Sequence, residues 1–208
     1  MAHEESLSVG AIILAAGRSS RMGRPKMLLP WGGTTVLGHL IGVWTRLRTG
    51  QVAVVHAHGN TAIGSELDRV GFARRNRIIN PDPDRGMFSS IVCAAQWAGW
   101  HTGLSHWAIV LGDQPHLRPG TLSALGKFAA RHPGSVCQPG RSGHGRHPVL
   151  LPAAVFQQLA TSKAATLKEF LEPMAGEVKL VELDDPGLDV DMDTPEDYER
   201  VLRMCFGD

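Results

Sequence analysis

Short apolar runs alternate with segments of helical periodicity along most of the chain. Residues 9–14 form a continuous apolar run rich in β-branched side chains, which is typical of a strand buried on both faces of a parallel sheet. In residues 36–47 the apolar positions instead recur at intervals of three and four, which predicts a helix with one buried face. Alternation of the two patterns predicts an α/β fold, a Rossmann-like and mostly parallel sheet with helices on both faces. We expect residues 1–208 to form a single domain.

The same patterns place the remaining elements. Thr34 is expected to cap the first helix, which Gly50 ends. Residues 136–138 lead into residues 139–151, which are rich in glycine and cations and are expected to form a loop. Further strands are predicted at residues 52–55, 77–79, 107–111 and 178–183, and further helices at residues 61–70, 87–100, 119–131, 153–160 and 166–171.

Composition and charge narrow the class of protein. The chain has 208 residues, of which 43% are hydrophobic and 20% charged, so it is long enough to bury one sizeable core. Its formal net charge of +1 argues against nucleic acid as a partner. The first residues are acidic and the apolar run after them is too short for a secretory or membrane segment, so we expect a cytoplasmic protein without membrane contact. Three widely spaced cysteines predict reduced thiols rather than disulfides.

A glycine-rich basic loop follows the first strand. Ala15, Ala16 and Gly17 allow a ligand to approach the backbone, and Gly17 and Gly23 are expected to adopt positive φ values that expose N–H groups to an anion. The spacing matches neither the P-loop nor the dinucleotide-binding motif. A solvated surface loop is the alternative, but the carboxyl end of a strand favours a polyphosphate site. The loop contains four cations and no acid: Arg18, Arg21, Arg24 and Lys26.

A carboxylate follows another predicted strand. Residues 107–111 lead directly into Gly112-Asp113-Gln114-Pro115, which delivers Asp113 to the same edge of the sheet as the basic loop. These four residues also suit a simple β-turn, which is the alternative interpretation. His144 and His147 lack a cysteine or histidine companion at zinc-ligand spacing, so contact with an anion is favoured over a metal.

The last predicted strand is followed by an acidic segment. If this segment is extended, Asp189, Asp191 and Asp193 project to one side, and three mutually repelling carboxylates indicate a bound cation. Thr194 and Asp197 fit the N-cap and capping-box partner of a final helix. Asp191 and Asp193, which precede the cap, are therefore the better metal ligands.

Five motifs span almost the whole chain in order. They are Leu14-Ala-Ala-Gly-Arg-Ser-Ser-Arg-Met-Gly-Arg-Pro-Lys, Asn80-Pro with Gly86-Met-Phe-Ser-Ser-Ile, Gly112-Asp-Gln-Pro, His147-Pro-Val-Leu-Leu and Asp191-Met-Asp-Thr-Pro-Glu-Asp-Tyr. Together they resemble the molybdenum cofactor cytidylyltransferases, a branch of the nucleotidyltransferases related to molybdopterin guanylyltransferase. The first and last motifs are the most specific to this group.

The resemblance implies a fold of the nucleotide-diphospho-sugar transferase type and a set of site residues. Lys26, Arg18 and Asp113 would be catalytic, and Arg146 and His147 would bind the acceptor. Mg²⁺, or Mn²⁺ in its place, would be held by Asp113 and Asp193, with Asp191 as the alternate ligand. The nucleotide would be bound by Leu14, Ala15, Ala16, Gly17, Arg18, Lys26, Asn80, Gly86, Ser89 and Asp113.

The activity implied is transfer of CMP from CTP to the terminal phosphate of a molybdopterin-type cofactor, with release of pyrophosphate. The Ala-Ala-Gly form of the first motif resembles the cytidylyl branch more than the guanylyl branch. A molybdenum hydroxylase apoenzyme would receive the product. A guanylyl or sugar-phosphate nucleotidyltransferase of the same fold, or a non-catalytic accessory protein that binds the molybdenum cofactor, remains an alternative.

Overall fold

One eight-stranded sheet organises the molecule. The computed structural model describes residues 7–47 and 49–207, and the predicted absence of a targeting segment concerns residues 1–6, which lie outside the described residues. The strands are β1 (Val9–Leu14), β4 (Gln51–Ala57), β5 (Arg77–Asn80), β6 (His106–Leu111), β7 (Val136–Arg141), β8 (His144–Gly145), β9 (Val149–Pro152) and β10 (Val178–Glu182), while β2 (Pro30–Trp31) and β3 (Thr34–Thr35) form a separate hairpin. The order is β10-β7-β9-β6-β1-β4-β5, with β8 paired to β7.

β1 is the central strand. It pairs in parallel with β4 on one side and β6 on the other, and all six of its residues are buried, as the uninterrupted apolar run predicts. Leu14 is in register with Leu111, the last residue of β6. The loops after β1 and β6 therefore leave the sheet side by side at its carboxyl edge.

Helices cover both faces of the sheet. Side chains of α1 (Val36–Arg46), α2 (Thr61–Arg69), α4 (Pro119–Ala130) and α7 (Pro195–Phe206) belong to one hydrophobic core, and those of α3 (Met87–Gln96), α5 (Ala153–Gln158) and α6 (Leu167–Leu171) to the other. This confirms the predicted α/β class. None of the helices in the described part of the chain is long and apolar enough to span a membrane.

Residues 139–151 are not the loop that their composition predicted. β7 continues to Arg141, turns through Ser142 and Gly143, which both have positive φ values (53° and 75°), and returns as β8. β9 then runs antiparallel between β6 and β7. The side chains of Val149, Leu150 and Leu151 are buried in β9, which fills the space between β6 and β7. Burial in the folded protein therefore determines the structure of this segment more strongly than its turn-like composition.

Smaller differences concern helix ends. Thr35, not Thr34, caps α1, because its Oγ1 accepts a hydrogen bond from the Gly38 N–H at 3.0 Å. α3 ends at Gln96 rather than at residue 100. The three cysteines are free thiols, and burial raises the pKa of Cys137 to about 11.

Candidate active site

A cleft of about 410 Å³ opens at the carboxyl ends of β1 and β6. Its walls come from the basic loop after β1, from the start of α3 and from the turn after β6. The lining residues are 14–21, Lys26, Met27, Pro83, Gly86, Met87, Ser90, Leu111, Gly112, Asp113 and Asp193. The structure thus brings together the first, second, third and last of the five motifs.

Hydrogen bonds of the backbone and of one serine side chain fix the conformation of the basic loop. The Ala15 N–H donates to the Val55 carbonyl at 2.8 Å, so binding of an anion by this loop falls to the N–H groups that follow. Ser19 has a left-handed conformation (φ 51°), and its Oγ accepts a hydrogen bond from the Lys26 N–H at 3.0 Å. Gly23 has the expected positive φ value of 71°, but the expectation for Gly17 is wrong, since Ser19 supplies that turn instead.

Lys26 lies between two carboxylates. Its Nζ is 2.5 Å from Asp193 Oδ1 and 3.5 Å from Asp113 Oδ2, and only 14% of its side chain is exposed. Arg21 binds the other oxygen of Asp193 at 2.6 Å. The site therefore combines two cations with two acids that line the cleft. Arg21 was not singled out from the sequence, although it belongs to the basic loop.

Asp113 and Asp193 are enclosed to a similar extent, with side chains 27% and 22% exposed. Burial raises the pKa of the Asp113 carboxyl group, while the Lys26 cation acts in the opposite direction. Asp113 Oδ1 is buried without a hydrogen-bond partner among the described residues. A carboxylate that lines a cleft beside a second carboxylate suits Mg²⁺ or Mn²⁺, because Mg²⁺ typically takes one or two carboxylates and fills the remaining positions with phosphate oxygens and water.

The acidic segment is not extended, so its three aspartates diverge. Residues Pro186–Asp189 form a short 3-10 helix. Asp189 binds Arg141 and Arg146 at 2.6 and 2.7 Å, Asp191 accepts a hydrogen bond from Gln114, and of the three only Asp193 lines the cleft. The prediction of three carboxylates on one face is wrong. Among residues 7–47 and 49–207, no group of three or more histidine, cysteine or acidic side chains could hold a metal ion.

A capping box fixes the chain directly after Asp193. Thr194 Oγ1 accepts from the Asp197 N–H at 3.2 Å, and Asp197 Oδ2 accepts from the Thr194 N–H at 3.0 Å and from the Asp193 N–H at 3.3 Å. This confirms the predicted N-terminus of α7. The same carboxylate therefore caps the helix and holds the backbone of Asp193.

The wall opposite the basic loop is the start of α3. Gly86 has a φ value of 89°, a left-handed conformation that disfavours other residues, and it leads into the first turn of the helix. Arg18 forms an ion pair with Asp84 from the turn that precedes Gly86. Arg18 and Gly86 thus line the cleft from two different loops, and their contact with a nucleotide is still a prediction.

Asn80 and Ser89 lie behind this wall. Asn80 is buried, and its Nδ2 donates to Ser89 Oγ and Ser90 Oγ at 2.8 and 2.9 Å. Both predicted residues line a neighbouring cavity, whereas Ser90 faces the cleft. Helical spacing could have identified Ser90, since it lies four residues after Gly86 and so on the same face of the helix.

Arg146 and His147 line a different cavity, of about 680 Å³, bordered by residues of β7, β9, β10 and α6. Arg146 is bound to Asp189, and burial lowers the pKa of the His147 imidazole. His147 Nδ1 is buried without a partner in the described part of the chain. Their role in acceptor binding is still a prediction.

A mostly parallel sheet that presents a glycine-rich basic loop and two carboxylates around one lysine at its carboxyl edge defines a nucleotidyltransferase. More particularly, the chain belongs to the family of MobA-like NTP transferase domains, whose model matches residues 11–179. The resemblance inferred from the five motifs is confirmed.

Two curated relatives match nearly the full chain. Molybdenum cofactor cytidylyltransferase of Escherichia coli (strain K12) is 28% identical over 196 residues, which cover 92% of this chain and 94% of that protein. Purine catabolism protein PucB of Bacillus subtilis (strain 168) is 27% identical over 198 residues, covering 92% and 95%.

A solved structure also resembles the whole molecule. Rv0371c from Mycobacterium tuberculosis H37Rv is 26% identical, with a TM-score of 0.75 and coverage of 95% of this chain and 98% of that chain. A second structure of Rv0371c, in complex with manganese, has a TM-score of 0.68 and 24% identity, with coverage of 94% and 98%. The order and packing of the elements are therefore shared with a protein that has been crystallised with a divalent cation.

Proposed function

We propose that this chain transfers CMP from CTP to the terminal phosphate of a molybdopterin-type cofactor and releases pyrophosphate, with residues 1–208 acting as one nucleotidyltransferase domain. The observation that carries the proposal is the contact of Lys26 Nζ with both Asp113 and Asp193 in the cleft beside the basic loop. An ammonium group that spans two carboxylates is poised to exchange partners with a metal-bound triphosphate. No such arrangement is needed to bind a neutral ligand.

The reaction needs no nucleophile from the protein. A phosphate oxygen of the acceptor forms a bond to the α-phosphorus of the nucleotide, the bond from that phosphorus to the bridging oxygen breaks, and its electron pair leaves with pyrophosphate. A phosphate monoester is already anionic at neutral pH, so the protein's task is to bring two anions together in line. Such alignment can correspond to effective molarities of about 10⁵ to 10⁸ M.

The basic loop would bind the triphosphate. Lys26, Arg18 and Arg21 line the cleft, and each can exchange a carboxylate partner for a phosphate oxygen. Lys26 is the least exposed of the three and lies nearest to Asp113, so it is assigned to the departing pyrophosphate. Preorganised cations that meet charge as it develops lower the barrier without reorganisation of solvent.

Asp113 and Asp193 would hold the divalent cation. The buried, unpartnered Oδ1 of Asp113 supports this assignment. When bound, the cation neutralises negative charge on the phosphate oxygens during transfer. Mg²⁺ is the first choice and Mn²⁺ the second, and a protein of the same fold has been crystallised in complex with manganese.

The nucleotide and the acceptor are assigned from the loop motif and from similarity to a relative. The Ala-Ala-Gly form of the loop and the similarity to the Escherichia coli molybdenum cofactor cytidylyltransferase support CTP and a molybdopterin-type acceptor. Arg146 and His147 are proposed to bind that acceptor in the cavity beside the acidic segment. A molybdenum hydroxylase apoenzyme is proposed as the recipient.

The test is release of pyrophosphate from each of the four NTPs with Mg²⁺ and the pterin acceptor, with sugar 1-phosphates as competing acceptors. We expect turnover with CTP and pterin. Turnover with GTP alone would indicate a guanylyltransferase, and turnover only with a sugar phosphate would replace the acceptor. Binding of pterin without pyrophosphate release from any NTP would support a non-catalytic accessory protein.

A further inference from the structure

Two segments that carry the acids of the cleft run past each other in opposite directions. One is the turn after β6, residues 112–118, and the other is the acidic segment, residues 185–193. Contacts join them in antiparallel order: the Met192 N–H donates to the Asp113 carbonyl at 3.2 Å, Gln114 Nε2 donates to Asp191 Oδ1 at 3.0 Å, His116 Nε2 lies 2.9 Å from the Gly187 carbonyl, and the Arg118 N–H donates to Asp185 Oδ2 at 3.2 Å.

The Gln114–Asp191 contact is the side-chain bond closest to the cleft. Gln114 is 6% exposed, so its amide is enclosed, whereas Asp191 is at the surface. An ionised carboxylate only accepts hydrogen bonds, which fixes the Gln114 nitrogen, not its oxygen, toward Asp191. A charged acceptor makes this one of the stronger classes of hydrogen bond.

The position of Asp191 determines what this bond does. Asp191 does not line the cleft, and Lys26 contacts Asp113 and Asp193 but not Asp191. Asp191 immediately precedes Met192, whose N–H is bound to Asp113, and Asp193 follows. The bond from Gln114 therefore links the backbone two residues before Asp193 to the turn that carries Asp113.

We propose that Gln114 and Asp191 are positioning residues that set the spacing of the Asp113 and Asp193 carboxylates, and that Asp191 is not itself a metal ligand. This inference rests on the proposed function, because it assigns the two carboxylates to a divalent cation. Residues that orient metal ligands through hydrogen bonds typically change metal affinity or activity by about 10- to 100-fold when they are replaced.

The experiment is a titration of the full chain with Mn²⁺, followed by electron paramagnetic resonance, together with rates of CTP-dependent pyrophosphate release. Gln114→Met and Asp191→Leu each remove the bond, and we expect each to lower Mn²⁺ affinity by about tenfold. Asp191→Asn keeps an acceptor oxygen for Gln114, so we expect affinity within about threefold of the parent, the size of a lost charge acting through water. The double variant Gln114→Met/Asp191→Leu should lose no more than either single variant.

Gln96→Met is the matched control. It removes an amide hydrogen bond of 2.7 Å to the Ala160 carbonyl, on α3 and away from the acidic segment, and should leave Mn²⁺ affinity unchanged. If Gln114→Met does not fold, Asp191→Leu carries the test, since its side chain is at the surface.

Different results overturn different statements. Equal losses of affinity in Asp191→Asn and Asp191→Leu would make Asp191 a ligand, and unchanged affinity in Gln114→Met and Asp191→Leu would remove the positioning role while leaving the proposed function intact. A parent chain that binds no Mn²⁺ would contradict the metal assignment of the proposed function, and the positioning role with it.

Discussion

At the scale of single residues, the candidate chemistry depends on one ammonium group that lies between two carboxylates. Lys26 Nζ lies 2.5 Å from Asp193 Oδ1 and 3.5 Å from Asp113 Oδ2, so its charge offsets that of both carboxylates. Without that cation the two acids would face each other in an enclosed cleft, where unpaired charge is costly. Lys26 therefore has two roles, in charge balance and in binding of phosphate.

Lys26→Met tests the role of Lys26 in binding phosphate. We expect CTP-dependent pyrophosphate release to fall by about a hundredfold or more, because a preorganised positive charge no longer meets the leaving group. Lys127→Met makes the same change on an exposed position of α4 and should leave the rate unchanged. A rate near that of the parent in Lys26→Met would assign the leaving group to another cation.

Replacing Gly112 tests whether the turn after β6 has to lie close to the basic loop. A Cβ atom there would lie 2.4 Å from Met27 Sδ and 3.0 Å from the Leu14 carbonyl oxygen. We expect Gly112→Ala to lower the free energy of unfolding by about 1–3 kcal/mol, because the carbonyl cannot move aside as a side chain can. Chemical denaturation measures this.

Gly126→Ala is the control for that change. Gly126 lies in α4 with open space around it, so alanine there should stabilise the protein by up to about 1 kcal/mol. Equal stability effects at the two positions would refute the steric account of Gly112.

From the sequence, the reactive side chains of the cleft were easier to predict than the residues that they contact. Lys26, Asp113 and Asp193 could be predicted because each follows a strand end or belongs to a specific motif. Asp191 and Asp189 could not be separated from Asp193, since the bonds to Gln114, Arg141 and Arg146 come from segments distant in the sequence. Ser90 is different, because its helical spacing from Gly86 separates it from Ser89, which carries the same side chain.

At the scale of elements, the N-terminus of α7 contributes both to the stability of the fold and to the position of a cleft residue. Its capping box includes Asp197 Oδ2, which also accepts a hydrogen bond from the backbone of Asp193. A helix cap that also holds the backbone of a cleft residue explains why the acidic motif and the helix start occur together in the sequence.

Thr194→Ala should therefore affect both properties. We expect a loss of about 1 kcal/mol in the free energy of unfolding, which is typical of a lost N-cap. We also expect weaker Mn²⁺ binding, since the backbone of Asp193 is less constrained. Thr166→Ala removes the cap of α6, where Thr166 Oγ1 accepts from the Glu169 N–H at 3.0 Å, and should affect stability alone. Unaltered Mn²⁺ binding in Thr194→Ala would separate the cap from the site.

Elements with a continuous apolar run or clear helical spacing were predictable, and the region around β8 was not. β1 is identical in prediction and structure because six buried residues leave no other interpretation. Residues 139–151 combine glycines and cations with Val149, Leu150 and Leu151, and local composition conceals that these three complete the sheet between β6 and β7. These residues form β9 because β6 and β7 on either side supply its hydrogen-bond partners.

At the scale of the whole molecule, buried histidines couple folding to pH. His106 and His116 are buried, and burial lowers the pKa of each below its ordinary value of 6.5. Below pH 6.5 the unfolded chain takes up protons that the folded chain does not, so stability falls as pH falls. The raised pKa of Asp113 acts in the opposite direction, but as a single group.

We expect the free energy of unfolding to be lower at pH 5.5 than at pH 7.5, as measured by urea denaturation at each pH. His106→Gln should reduce this pH dependence, by at most about 1.4 kcal/mol per pH unit for one proton. Stability that is flat or rises between pH 7.5 and 5.5 would show that these histidines are protonated in the folded protein.

The central claim is that nucleotidyl transfer occurs in this cleft and depends on the Asp113 carboxylate. Its most direct test is the rate of CTP-dependent pyrophosphate release by Asp113→Asn, compared with Asp184→Asn, which makes the same change on an exposed acid outside the cleft. We expect a loss of about a hundredfold or more for Asp113→Asn and an unchanged rate for Asp184→Asn. Release by Asp113→Asn at a rate close to that of the parent would contradict it.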